Sequence, residues 1–205
     1  MTTVIGLDLS LVCTGIAHIA TNRPDPIVHL VTSRGHRTDT RATKGARIRD
    51  IRNRIMNTIP RNTTLVVLEG ISYASNNPGT DERHHLWWLI SDALDHLDIP
   101  LAVCPPATLK KFVCDKGNAP KAAVVAAIAR MWPTTELPTD DAADSLGLAT
   151  IAAQHTKIPL PFPILERHKL ALTKIDWPPQ LRTDADTVIS TPTTNQQDRM
   201  SGDTP

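Results

Sequence analysis

Two acidic residues stand at the ends of apolar runs. Asp8 closes VIGLD and Glu69 closes LVVLE, although acidic residues are rare inside strands. In sheets with parallel strands, functional sites form at the carboxyl ends of the strands, where Asp8 and Glu69 would be neighbours if their strands are adjacent. Either acid taken alone is better explained as the start of a loop. The interpretation therefore depends on what else reaches this edge.

A third element supplies two more carboxylates. In the segment TDDAADSLGLA, Asp141 and Asp144 are three positions apart, which places both on one face of a helix near its N-terminus. The helix dipole also favours acids there on an ordinary solvated helix. However, Ala142, Ala143 and Leu146 around the pair are small or apolar. This pattern predicts a closely packed helix whose acidic pair points into a pocket.

Four carboxylates from two strand ends and one helix are the ligands that a pair of divalent cations needs. Mg²⁺ prefers hard oxygen ligands and is usually bound by a few carboxylates together with water and substrate phosphate. Two such ions, roughly 3.5–4 Å apart, activate a water and stabilise the leaving oxygen when a phosphodiester is displaced in line. We therefore expect a phosphodiester-cleaving site that uses Mg²⁺, with Mn²⁺ as a substitute.

Several short motifs follow one another along the chain. GLDLS is followed by Thr14-Gly15, by the strand end LEG, and then by PATLKKF, GNAPK and DDAADSLGLA. In order and spacing they resemble the RuvC family of Holliday junction resolvases over roughly residues 3–154. The later phrase ILERHKLALTKIDWP resembles that of phage-encoded, actinobacterial-type members. The resemblance implies an RNase H-like fold and an endonuclease that cuts Holliday junctions or related branched DNA.

The resemblance also implies roles for individual residues. The implied catalytic acids and metal ligands are Asp8, Glu69, Asp141 and Asp144. Lys110 and Lys121 match lysines that contact DNA or the phosphate near the site, and Lys121 is counted with the catalytic residues. Bacterial members carry an aromatic residue three positions after the second acid. Here that position is Ser72 and the aromatic is Tyr73, which we take as a candidate for stacking on unpaired bases.

A basic segment lies between residues 34 and 61. It contains nine Lys and Arg residues against two acids, a local charge of +7 in a chain whose net charge is +1. Such a patch could bind a polyanion or could be the solvated face of a helix. From this segment Arg47, Arg49 and Arg54 are predicted to contact DNA.

The hydrophobic pattern predicts an α/β fold with a mixed sheet. Short apolar runs indicate strands at 4–9, 14–21, 26–33, 64–69 and 101–104. Helices are expected at 44–58, at 82–97, from a start capped by Asn118 to Trp132, and from Thr139 through Ala153. The first three strands should form an antiparallel meander. In the RNase H-like arrangement that the resemblance implies, the first, fourth and fifth strands are parallel.

The chain is expected to form one domain with two additions. Residues 1–154 would be the nuclease domain, residues 155–182 an extension packed on it, and residues 183–205, which lack apolar periodicity, a disordered tail. Three widely spaced cysteines, the absence of a basic leader and the lack of a long apolar stretch favour a cytoplasmic protein, in the host cytoplasm if phage-encoded. No membrane contact and no small-molecule cofactor is expected.

Oligomeric state follows from the implied substrate. A four-way junction is cut at two symmetry-related points, whereas one domain offers one site, so a C2 homodimer is expected. The helix predicted at 82–97, with Trp87 or Trp88, is the candidate interface.

The sequence leaves three alternatives open. Another RNase H-like nuclease, acting on flaps, forks or hybrids, would use the same acids. An actin-like ATPase or sugar kinase also begins with a strand, an Asp and a Ser/Thr/Gly turn, but it needs a second lobe that this chain is too short to supply. A binding module with an inactive site is disfavoured because all four acids are present.

Overall fold

Five strands form a single mixed sheet in the computed structural model, which describes residues 1–71 and 79–182. In the sheet the strands follow the order β3-β2-β1-β4-β5. Their bounds are β1 (Thr3–Asp8), β2 (Cys13–Ala20), β3 (Ile27–Thr32), β4 (Leu65–Glu69) and β5 (Leu101–Cys104). β1, β2 and β3 pair antiparallel, whereas β4 is parallel to both β1 and β5. The predicted mixed sheet is therefore confirmed.

The described part of the chain has six α-helices, of which α6 packs on α3 and α5 rather than on the sheet. They are α1 (Arg41–Met56), α2 (Thr80–Asp95), α3 (Pro106–Cys114), α4 (Lys121–Met131), α5 (Asp140–His155) and α6 (Glu166–Leu172). None of them is both long and apolar enough to cross a membrane.

The central strands are buried on both faces, which explains why their sequences are almost entirely apolar. In β1, Ile5 and Leu7 belong to the core under α1 and α2, whereas Val4 belongs to the core under α3, α4 and α5. β4 alternates in the same way, with Val66 and Leu68 on the first face and Leu65 and Val67 on the second. Helices on both faces are typical where strands run parallel.

Helix α1 shows how local sequence fixes an element on the first face. Thr40 is its N-cap, and the Thr40 hydroxyl accepts a hydrogen bond from the Thr43 amide at 3.2 Å. Ile48, Ile51 and Ile55 are buried against the sheet, as their helical spacing predicted. The helix begins three residues earlier than the apolar pattern indicated, because a cap rather than an apolar residue sets its start.

Two features of the second face differ from the sequence prediction. Helix α3 was not predicted, and it carries Lys110. Helix α4 begins at Lys121 with Pro120, not Asn118, as its N-cap. Pro120 has extended backbone angles and so ends the preceding loop rather than standing in the first turn.

Residues after α5 contact the rest of the domain. The His155 ring stacks on the Trp177 ring with centroids 3.6 Å apart, and Asp176 bridges to Val103 on the edge strand β5. Trp177 is buried, and its indole N–H donates to the Leu172 carbonyl at 3.0 Å. The boundary at residue 154 stays a prediction, and the tail at 183–205 lies outside the described residues.

Candidate active site

Strands β1 and β4 end side by side at one edge of the sheet. Their parallel register pairs Val4 with Leu65 and Leu7 with Leu68, and the same offset carries Asp8 next to Glu69. Both acids continue the alternation of Val4 and Leu65, so both face α5. Asp8 is only 8% exposed, and Glu69 is half-buried. The two strand-end acids are therefore neighbours, as the sequence predicted.

Two glycines allow α5 to lie directly on the end of β1 and the start of β2. A Cβ atom at Gly6 would overlap the backbone of Ser145 and Ala149, and one at Gly15 would overlap the carbonyl of Asp141. Gly15 is also the β2 partner of Asp8 in the antiparallel register. Because only hydrogen separates these strands from the helix backbone, the first turns of α5 lie over the Asp8 end of β1.

Helix α5 starts just before its two acids. Thr139 is the N-cap, and the Thr139 hydroxyl accepts the Ala142 amide at 3.1 Å. Asp141 and Asp144 then lie in the first and second turns, where the amide dipoles favour negative charge. Ala142 and Ala143 are fully buried between them, which confirms the prediction of a tightly packed helix.

The pKa values of three carboxyl groups show that the acids interact electrostatically. Burial, followed by repulsion from Glu69, Asp144 and Asp141, raises the pKa of Asp8 to about 8. Burial and repulsion from Asp144 raise the pKa of Glu69 to about 7. The pKa of Asp144 rises to about 6, again chiefly through burial. All four predicted acids therefore belong to one electrostatic cluster.

Two lysines oppose this charge. Lys110 and Lys121 both hold down the pKa values of Glu69 and Asp144, and Lys121 also lowers that of Asp8. The Lys121 ammonium pairs with the Asp140 carboxylate. The sequence predicted that both lysines lie near the acids but gave Asp140 no role, since an acid at a helix start has many explanations.

The carboxylate oxygens of the site are ligands of the kind that divalent cations bind. The carboxylates of Asp8, Glu69 and Asp144 accept no hydrogen bond from any residue in the described part of the chain, so hard oxygen atoms remain available. Within residues 1–71 and 79–182, however, no three His, Cys, Asp or Glu side chains are grouped closely enough to form a ligand set as they stand.

The loop after Asp8 is braced by residues that the motif GLDLS…TG contains. The Thr14 hydroxyl accepts the Ser10 amide at 3.0 Å and donates to the Ser10 carbonyl at 2.8 Å. Arg47 donates to the Leu11 carbonyl and, at 3.0 Å, to the Ser33 hydroxyl. The sequence predicted Arg47 as a DNA contact, whereas here one of its donors holds this loop and another binds Ser33 after β3.

Arg49 and Arg54 are exposed on α1, across the sheet from α5. Arg54 donates to the Thr32 carbonyl at 2.9 Å. The structure therefore does not bring the three predicted arginines into the carboxylate cluster, and their contact with DNA stays a prediction.

Two further residues adjoin the acids without having been predicted to do so. The Trp87 indole N–H donates to the Glu69 carbonyl at 3.0 Å, which anchors the end of β4. Burial raises the pKa of the Cys13 thiol, and the nearby Asp141 carboxylate raises it further. Nothing in the local sequence of either residue indicates a contact with the acids, and Trp87 was considered only as an interface residue. Tyr73 lies outside the described residues.

Solved structures of RuvC share this fold. The Thermus thermophilus RuvC structure matches 78% of this chain and 100% of its own length with a TM-score of 0.61 and 18% sequence identity. T. thermophilus RuvC in complex with Holliday junction substrate matches 79% and 100%, with a TM-score of 0.60 and 17% identity. No family model and no curated protein matches the chain. The likeness confirms the expected RNase H-like fold and, in architecture, the resemblance to RuvC.

Proposed function

We propose that this protein is a structure-selective endodeoxyribonuclease that hydrolyses phosphodiester bonds at Holliday junctions or related branched DNA. One observation carries the proposal: Asp8, Glu69, Asp141 and Asp144 converge from β1, β4 and α5, with Lys110 and Lys121 beside them. The fold is that of a protein whose structure includes a Holliday junction substrate. Such a role would place the protein in the cytoplasm, that of the host if it is phage-encoded.

The four carboxylates would hold up to two Mg²⁺ or Mn²⁺ ions. Bound there, the cations would supply charge neutralisation at the phosphate and a nucleophilic water at neutral pH. The protein's own contribution is to gather the four acids at one buried edge and to keep Asp8 out of bulk water. Lys110 and Lys121 would also bind the phosphate, and they would stabilise the negative charge that grows on it in the transition state.

A dimer would supply the second site that a symmetric junction needs. On α2, Trp87 points inward to the Glu69 carbonyl, whereas Trp88 is 58% exposed. We therefore assign the predicted interface role to Trp88, since an exposed aromatic on a helix is a frequent anchor of protein contacts. Tyr73 remains the candidate for stacking on bases at the crossover.

The test is a substrate comparison. Labelled four-way junction, fork, flap and linear duplex are incubated with the full chain in Mg²⁺, Mn²⁺, Ca²⁺ or EDTA. Cleavage of the junction in Mg²⁺ and Mn²⁺, with binding but little cutting in Ca²⁺, is expected because Ca²⁺ demands less strict geometry. Preferential cutting of forks, flaps or hybrids would instead indicate another RNase H-like nuclease, and no metal-dependent cutting of any substrate would refute the proposal.

A further inference from the structure

Lys121 and Asp140 are each the first residue of a helix. Lys121 begins α4, which has no side-chain cap and no acid in its first turn, so the ammonium lies at the positive end of the helix dipole. Asp140 begins α5. The two side chains form an ion pair between the helix ends, and in the part of the chain that is described Asp140 is the sole ion-pair partner of Lys121.

The ion pair lies at the border of the carboxylate cluster. Asp140 precedes Asp141 by one residue, so it projects about 100° around the helix from its neighbour, towards α4 rather than into the cluster. Lys121 nevertheless lies within electrostatic reach of Asp8, Glu69 and Asp144. One ammonium therefore has two possible sets of anionic partners, Asp140 or the cluster itself.

We propose that Asp140 is a positioning residue that keeps the Lys121 ammonium at the border of the carboxylate cluster, so that the lysine does not neutralise the acids that would bind metal. This role rests on the proposed function, because it matters only if the cluster binds divalent cations. A lysine released from Asp140 would move towards the nearest anions, which are the carboxylates of the cluster.

The same arrangement leaves Lys121 available to substrate. The Lys121 side chain is 72% exposed and that of Asp140 is 39% exposed, and exposed ion pairs are individually weak. An ammonium has three donors, so Lys121 can contact a phosphate while it keeps one hydrogen bond to Asp140. Asp140 would thus direct the lysine towards the phosphate side of the site.

A simpler explanation is that Asp140 only adds one negative charge near the cluster. In that case its removal would weaken cation binding to the same extent whether or not Lys121 is present. If Asp140 positions Lys121, its removal would matter only when the lysine is there. The two explanations therefore differ in a double-mutant cycle.

The experiment measures Mn²⁺ binding by calorimetry on the full chain without DNA. Asp140→Asn should weaken Mn²⁺ binding by about two- to fivefold, the range for an exposed charge interaction. In the Lys121→Gln background the same change should have no effect, and Asp140→Glu should restore binding in the presence of Lys121. Glu136→Gln is the matched control. Glu136 lies in the connection between α4 and α5, and it has no ion-pair partner among the described residues.

Equal weakening in both backgrounds, no weakening by Asp140→Asn, or no Mn²⁺ binding by the wild type would each overturn the proposal. Failure of the proposed function has a different signature. A wild type that binds Mn²⁺ and shows the expected cycle but cuts no branched DNA would leave the positioning role in place while refuting the nuclease.

Discussion

The two faces of the sheet hold their helices in different ways. Under α1, a layer of aliphatic side chains, among them Ile51 and Ile55, separates the helix from Leu7 on β1. Under α5 the strands present Gly6 and Gly15, and the helix backbone lies against them directly. A side-chain layer can repack after substitution, whereas two backbones in contact cannot. The helix that carries the acids is therefore positioned more strictly than the helix that carries the arginines.

The largest effect is expected when a methyl group is added between a strand and α5. Gly15→Ala would place a Cβ against the carbonyl of Asp141, which is backbone and cannot rotate away. We expect a loss of about 3 kcal/mol or more in the free energy of unfolding, at the upper end of overpacking effects, and loss of cleavage. Urea denaturation and a junction-cleavage assay measure both.

The control for Gly15→Ala is a substitution of similar size on the α1 face of the sheet. Ile51→Val removes one methylene from the α1 layer and should cost about 0.5–1.5 kcal/mol with normal cleavage. If Gly15→Ala is as mild as Ile51→Val, the close contact between α5 and the strands is not what positions the acids.

The pH dependence of stability should arise mainly from the acids on the α5 face of the sheet. The pKa values of Asp8 and Glu69 are raised to about 8 and about 7, so the folded state holds protons that the unfolded chain has released. Stability without metal should therefore fall as pH rises towards 8. Below about pH 6.5 the half-buried His18 and the buried His168, whose pKa values are lowered to about 4, work in the opposite direction. The informative window is thus pH 6.5 to 8.5.

In that window the metal-free protein should lose about 2 kcal/mol of stability through Asp8 alone. Urea unfolding in EDTA at several pH values measures the loss, and Asp8→Asn should flatten the curve. Added Mg²⁺ should stabilise the wild type more at pH 8.5 than at pH 6.5, because cations bind ionised carboxylates. A wild-type curve as flat as that of Asp8→Asn would show that Asp8 is not a buried, proton-retaining acid.

The neighbouring tryptophans of α2 should have different roles, Trp88 in the dimer interface and Trp87 in holding the end of β4. Trp88→Ala should weaken the proposed dimer by about 2 kcal/mol, as expected for an aromatic anchor, which sedimentation at several concentrations measures. Trp87→Phe keeps an aromatic ring but loses the hydrogen bond to the Glu69 carbonyl. It should slow cleavage without changing the dimer. A chain that stays monomeric even on a junction would refute the interface.

The smallest effects are expected from substitution of the basic side chains, which should differ between the two faces of the sheet. Lys121→Ala should lower the log–log salt dependence of junction binding by about one unit and slow cleavage more than binding. Arg49→Ala on the α1 face should change binding alone. An unchanged salt slope and a wild-type rate at saturating enzyme for Lys121→Ala would show that this lysine is merely solvated.

The sequence was most informative where residue type and spacing alone decide the outcome. Asp8 and Glu69 at strand ends, and Asp141 and Asp144 on one helix face, could be placed because strand and helix periodicities are local. The role of Gly15 could not be foreseen, since it depends on which helix crosses which strand. Tertiary contacts likewise decided that Arg47 braces the loop after Asp8.

Short elements and pairings across the fold were also beyond the sequence pattern. Helix α3 is nine residues long and starts with proline after β5, so its apolar spacing was too brief to recognise. The pairing of Lys121 with Asp140 joins residues 19 positions apart on different helices. Nothing in either local sequence indicates that partner.

The proposed function requires that the four carboxylates form one metal-dependent cleavage site. Single-turnover cleavage of a four-way junction in Mg²⁺, measured beside binding in Ca²⁺, tests it with Asp8→Asn, Glu69→Gln, Asp141→Asn and Asp144→Asn. Each variant should lose cleavage while binding the junction nearly as well as the wild type, because each removes a metal ligand rather than a phosphate contact. Near-normal cleavage by two or more of the four would contradict the assignment.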